Sequence, residues 1–202
     1  MSPVPSSLFD KTARWFERAR AALLDDLPCQ KGCTRCCVGL FPVTRLDQAE
    51  LQRGLHSLAP HERDAIQTAA ARQAELITIS APELAYDRFI DHLPDRAIDR
   101  LVQEFGDLPC PVLQPDGSCG LYAFRPLTCR SMGIPPEVDG MVQGACEIQT
   151  FVPVRRLSPA LRAEEDALAQ AEADALERGH TATGGPGEEL FLPFAILPDS
   201  NQ

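Results

Sequence analysis

Eight cysteines in a chain of 202 residues are the side chains whose type and spacing promise chemistry. Four form a short run, Cys29-x3-Cys33-x2-Cys36-Cys37, and four follow later, Cys110-x8-Cys119-x9-Cys129-x16-Cys146. Thiolates are soft ligands that select zinc, iron–sulfur clusters or copper(I), whereas magnesium and calcium demand oxygen. The two-residue gap between Cys33 and Cys36 is what a knuckle turn needs to aim two sulfurs at one ion. On a helix, positions 29, 33, 36 and 37 would instead share one face. Gly32 favours the turn, because it reaches backbone angles that other residues avoid.

Cys36 and Cys37 are adjacent, and neighbouring side chains diverge. The pair therefore implies more than one metal, a cluster, or one cysteine outside the coordination sphere. The second group is too widely spaced to be a local finger, so its members must be gathered by the fold. Eight thiolates can fill two four-sulfur sites, one binuclear site, or a four-cysteine cluster plus a separate ion, and the count does not choose. Lys31 and Arg35 are interleaved with the first run, and Arg125 and Arg130 flank Cys129. Cations so placed would stabilise a negatively charged thiolate site, although solvated surface charges explain them equally well. His56, His61, His92 and His180 read as surface residues, which leaves sulfur-only ligation.

A formal net charge of -10 argues against a nucleic-acid partner, since phosphate binding needs a basic face, and against an anionic membrane surface. No stretch approaches the roughly 18 apolar residues of a membrane span. The N-terminal residues lack the basic and apolar regions of a signal peptide, which places the protein in the cytoplasm. Thiols in a reducing compartment hold metal or do redox work more often than they form disulfides. The chain is also long enough to bury a core without cross-links.

The elements that must position these cysteines read as mainly α. Ser7 with Asp10 forms a capping pattern ahead of Phe9, Ala13, Phe16, Leu23 and Leu27, predicting a helix over residues 8–26 closed by Pro28. Thr44 with Asp47 caps a second helix that stops before Pro60, which opens a third carrying Ile66, Ala69, Leu76 and Ile77. A fourth, with Ala97, Ile98, Leu101, Val102 and Phe105, starts near Pro94 and ends at Gly106. Val112-Leu113, the turn Pro115-Asp116-Gly117, and Leu121-Tyr122 predict a short hairpin that draws Cys110 and Cys119 together. Ser158-Pro159 opens a last helix with Leu161, Leu168 and Ala175 on one side and Gly179 as its stop. Residues 181–187 read as a linker. The apolar segment 190–197 reads as folded back on the core, with a partner-docking peptide as the sharper alternative.

The runs Cys29-x3-Cys33-x2-Cys36-Cys37, Cys110-Pro111, Cys119-Gly-Leu-Tyr122 and Arg125-Pro126-Leu-Thr-Cys129-Arg130 together resemble the YkgJ-type cysteine-cluster family of zinc- or iron-chelating proteins. The resemblance covers roughly residues 29–146. Val112-Leu113-Gln114 and Ser131-Met132-Gly133 depart from the family pattern without removing a cysteine. The expected architecture is a small irregular helical domain with a short β-hairpin in the cysteine-rich region. Residues 1–157 would form the metal-binding domain, 158–180 a helix packing on it, and 181–202 a linker and tail. All eight cysteines, Cys29, Cys33, Cys36, Cys37, Cys110, Cys119, Cys129 and Cys146, are the expected ligands. The expected cofactor is zinc or iron, including a 4Fe-4S cluster. The metal would organise the fold and a surface for a protein partner. An iron–sulfur-dependent redox or protein-modifying enzyme is the alternative. One relative in the wider group, the flagellin lysine methylase, couples a similar cysteine cluster to methylation of protein lysines, but no glycine-rich nucleotide loop follows a strand here, so that activity is not carried over.

Overall fold

The computed structural model describes residues 7–23, 27, 32–146, 155–183 and 187–198. Helix occupies 59% of it, and the sheet is confined to two small two-stranded pairs, so the fold is mainly α as the periodicity implied. The elements run α1 (Leu8–Ala22), β1 (Pro42–Thr44), α2 (Arg45–Ser57), α3 (Pro60–Ser80), α4 (Asp95–Glu104), α5 (Leu127–Ser131), β2 (Glu137–Val138), β3 (Met141–Val142), α6 (Pro159–Thr183), β4 (Glu189–Phe191) and α7 (Leu192–Ile196). The chain divides into two units, one of Met1–Cys36 with Leu127–Ala175 and one of Cys37–Pro126 with Leu176–Gln202.

In the first unit, α1 opens where its sequence dictates. Ser7 accepts from the Asp10 N–H while the Asp10 carboxylate accepts from the Ser7 N–H, a reciprocal capping box. The Ser7 bonds, with Arg14 and Arg130 nearby, hold the Asp10 carboxyl below its usual range. Trp15, Phe16, Ala19 and Leu23 form the buried stripe, joined by Ile134 and Leu157, with Leu27, Leu161 and Leu168 packed against them. The Trp15 indole N–H donates to the Leu161 carbonyl at 2.9 Å, and Arg18 pairs with Glu164. Strands β2 and β3 form a hairpin whose turn, Asp139-Gly140, takes positive φ at both residues (51° and 75°). That is the geometry a two-residue hairpin turn requires, and Asp-Gly is the sequence signal for it. Helix α6 runs past Gly179 to Thr183. A mid-helix glycine costs only about 1 kcal/mol, and no proline or cap follows to stop the helix there.

The second unit is built on α2, α3 and α7. Thr44 and Asp47 form the capping box of α2, and Pro60 occupies the first turn of α3. Strand β1 pairs antiparallel with β4, with Pro42 opposite Phe191 and Thr44 opposite Glu189. All five residues of α7 are buried, and Gln52 of α2 donates to the carbonyls of Ala195, Ile196 and Leu197 at 2.8, 3.0 and 3.1 Å. Segment 190–197 therefore folds back on the core. Burying each large apolar side chain contributes roughly 1.5–3 kcal/mol, enough to offset the ordering of its backbone. Helix α4 starts after Pro94 as predicted.

Candidate metal centre

Gly32 adopts φ +93° immediately before Cys33, so the first run does turn at the residue whose freedom permits it. A single turn of 3-10 helix over Arg35–Cys37 follows. Within it the adjacent cysteines separate: Cys36 is exposed and Cys37 is half-buried. Cys29 and Lys31 lie outside the described residues.

Cys37 leads into a short antiparallel pairing with the chain around Cys110. Val38 bridges Pro109, the Gly39 N–H donates to the Leu108 carbonyl at 2.8 Å, and the Cys110 N–H donates to the Cys37 carbonyl at 2.7 Å. Val38 and Pro109 thus occupy a position between ladder bonds, where the missing N–H of proline costs nothing. Gln73 on α3, itself buried, donates to the Pro109 carbonyl at 2.7 Å and fixes this segment. A glutamine within a helix gave no sign of that role in the sequence.

From Cys110 the chain enters the expected hairpin. The Gln114 N–H donates to Ser118 at 2.8 Å, Leu113 bridges Cys119, and the Gly120 N–H donates to Val112 at 2.8 Å. Asp116 accepts from the Ser118 N–H at 2.9 Å, which closes the turn early. The return arm is consequently Ser118 to Gly120, and Tyr122 instead begins a 3-10 turn, Tyr122–Phe124. Cys110 and Cys119 both pack on the edge of the same apolar core. Gly54 of α2 lies directly against Phe124 and seats that turn.

Cys129 is half-buried on α5, which packs on α1 and which periodicity did not reveal. Five residues are too few for a helical pattern to show. Arg130 is buried and lies over the Phe9 ring at 5.3 Å, and Arg125 stacks on Tyr122 at 4.1 Å. These two arginines are not solvated surface charges, whereas Arg35 is exposed. Cys146 is half-buried after β3. All four histidines are exposed; His56 meets the Gln52 carbonyl and His92 faces Asp87.

The seven described cysteines form no disulfide with one another. Within the second unit the backbone pairing brings Cys37 beside Cys110, and Cys119 lies on the return arm of the hairpin that follows Cys110. Among the described residues no three His, Cys, Asp or Glu side chains are gathered into a ready coordination sphere. The donor chemistry fits zinc or iron, since the described thiols, half-buried except for the exposed Cys36, are soft and spaced by turns. No helix among the described residues is long and apolar enough to cross a membrane.

A domain with cysteine runs of this kind is a recognised class. Residues 28–147 match the profile of the CxxCxxCC family, described as a "putative zinc- or iron-chelating domain", and the chain belongs to that family. The first gap holds three residues here, Gln30, Lys31 and Gly32. No curated protein and no solved structure matches the chain.

Proposed function

We propose that this chain is a metal-binding protein in which Cys29, Cys33, Cys36, Cys37, Cys110, Cys119, Cys129 and Cys146 supply thiolates to zinc or to an iron–sulfur cluster, and that the metal organises the surrounding fold. The carrying observation is the match over residues 28–147, which contains all eight cysteines. The pairing of Cys37 with Cys110 supports it, because a backbone hydrogen bond holds two of the thiol-bearing residues side by side. Metal binding and folding are then one equilibrium, since the ligands must be drawn the rest of the way around the ion. Buried Arg130 beside Cys129 supplies positive charge that favours a thiolate site of net negative charge. We assign residues 1–157 to the metal-binding domain, with 158–180 as its packing helix, and place it in a reducing compartment that keeps the thiols available.

Cys33→Ala and Cys129→Ala test the assignment. Each is expected to lower both the bound metal per chain and the melting temperature. Unchanged metal content in both variants would overturn the ligand assignment. The anaerobic absorption spectrum chooses the ion: a brown protein holds iron–sulfur, and a colourless protein carrying stoichiometric zinc holds zinc.

A further inference from the structure

The pairing around Val38 and Pro109 has a chemical consequence for its flanking cysteines. Because Val38 is opposite Pro109 in an antiparallel bridge, Cys37 is opposite Cys110, and the bond from the Cys110 N–H to the Cys37 carbonyl at 2.7 Å closes that pair. That bond sets the two backbones side by side at the end of the bridge, and residues opposed across an antiparallel pair have Cα atoms about 4.5–5.5 Å apart, within the range that a disulfide spans. Both cysteines are half-buried, and Gln73 and Gly39 hold the two segments in register on either side. Cys36, by contrast, is exposed, and Cys119 is paired with Leu113.

We infer that Cys37 and Cys110 form a redox-active dithiol: in the metal-free protein a small-molecule disulfide closes them into a Cys37–Cys110 disulfide, and bound metal keeps them open. The control by metal rests on the proposed function; the disulfide itself rests on register alone. In the reaction, one cysteine thiolate attacks the oxidant disulfide, forming a mixed disulfide and releasing one thiolate. The second cysteine, deprotonated, attacks the protein sulfur of that mixed disulfide and releases the other thiolate. Two cysteine thiols are oxidised, the oxidant disulfide is reduced to two thiols, and no other reactant is needed. A closed pair has no thiolate left to give to an ion, so oxidation and metal loading oppose one another.

The test uses the full chain, either stripped with a strong chelator or loaded with zinc, exposed to oxidised glutathione and digested with trypsin without reduction. Trypsin releases Cys36 and Cys37 on one peptide and Cys110, Cys119 and Cys129 on another, because Pro126 protects the bond after Arg125. Single variants therefore assign the link. The two peptides are expected to be joined in the wild type, Cys36→Ser and Cys119→Ser chains, and separate in Cys37→Ser and Cys110→Ser. Zinc loading should slow the joining at least about tenfold, as expected when an ion holds both thiolates and a link forms only after it leaves. A link that survives Cys37→Ser or Cys110→Ser, or no link at all, would overturn the dithiol. A Cys37–Cys110 link forming equally fast in a chain shown to carry zinc would overturn the metal control. A chain that takes up neither zinc nor iron would instead refute the proposed function, and the variants would still decide the dithiol.

Discussion

Replacing Gly54 with alanine sets two opposed terms against each other, and the structure says which prevails. A Cβ at this position of α2 would stand 2.7 Å from both Cβ and Cγ of Phe124 and 2.9 Å from its Cδ2. Carbon pairs prefer about 3.5–4.0 Å, so the turn Tyr122–Phe124 must retreat by several tenths of an ångström. Rotating the ring does not relieve the clash, because Phe124 Cβ is fixed to the backbone. Overpacking of this kind costs about 1–3 kcal/mol. Alanine in a helix interior recovers about 1 kcal/mol relative to glycine. The net expectation is a destabilisation of about 1 kcal/mol, or a melting temperature lower by about 2–4 °C for a chain of this size. Retreat of Phe124 also loosens the Arg53 guanidinium that lies 5.0 Å from its ring centroid. Gly179 in α6 is the control: an added Cβ there meets nothing within 4 Å, so alanine should stabilise by about 1 kcal/mol. Thermal melts followed by far-UV circular dichroism compare the two. Gly54→Ala melting above the wild type, as Gly179→Ala should, would refute the claim that α2 seats the second cysteine run.

Three further outcomes follow from other contacts. Trp15→Phe removes the indole N–H that donates to the Leu161 carbonyl and opens a space in the first unit's core, so stability should fall by about 1–3 kcal/mol in a urea titration. Gly32→Ala forces a side chain onto φ +93° in otherwise open space; strain of about 1–2 kcal/mol should weaken metal uptake with little effect on the helices, read by competition with a coloured chelator. Partial desolvation, with Asp91 and then Glu188 beside it, raises the Glu189 carboxyl above the ordinary carboxylate value. Its folded form therefore holds a proton more tightly than the unfolded chain does. The associated stability is present below pH about 4.5 and is lost as pH rises through the raised value. Glu189→Gln should accordingly stabilise the protein at pH 7 and lose that advantage toward pH 4; equal melting at both pH values would contradict the assignment.

The parts of the fold that were legible in the sequence are those decided within a few residues. The capping boxes at Ser7 and Thr44, Pro60 opening α3 and Pro94 preceding α4 are local contests between backbone donors and nearby side chains. The turn at Gly32 and the Pro115-Asp116-Gly117 turn are local in the same sense. What escaped depends on distant partners or on too few residues. Strand β1 exists only because β4, far along the chain, pairs with it. Gln73 acts only because α3 passes the Pro109 carbonyl. Helix α5 is a single short turn after Pro126 and leaves no periodic trace. The β2–β3 turn was signalled by Asp139-Gly140, but strands of two residues carry no alternation to frame it. At the candidate site, the types and runs of the cysteines were legible. The divergence of Cys36 from Cys37 followed from their adjacency, whereas the pairing of Cys37 with Cys110 needed the register of two distant segments.

The central claim is that these thiols hold a metal whose binding is part of folding, and one measurement addresses it directly. The full chain, purified without oxygen, is assayed for zinc and iron per chain, and its melting is recorded before and after a strong chelator. At least one zinc or iron per chain, with metal removal lowering the melting temperature by ten degrees or more, on the order of several kcal/mol of ligand-linked stability, is the predicted result. A chain that carries neither metal and melts identically in the chelator would contradict the account.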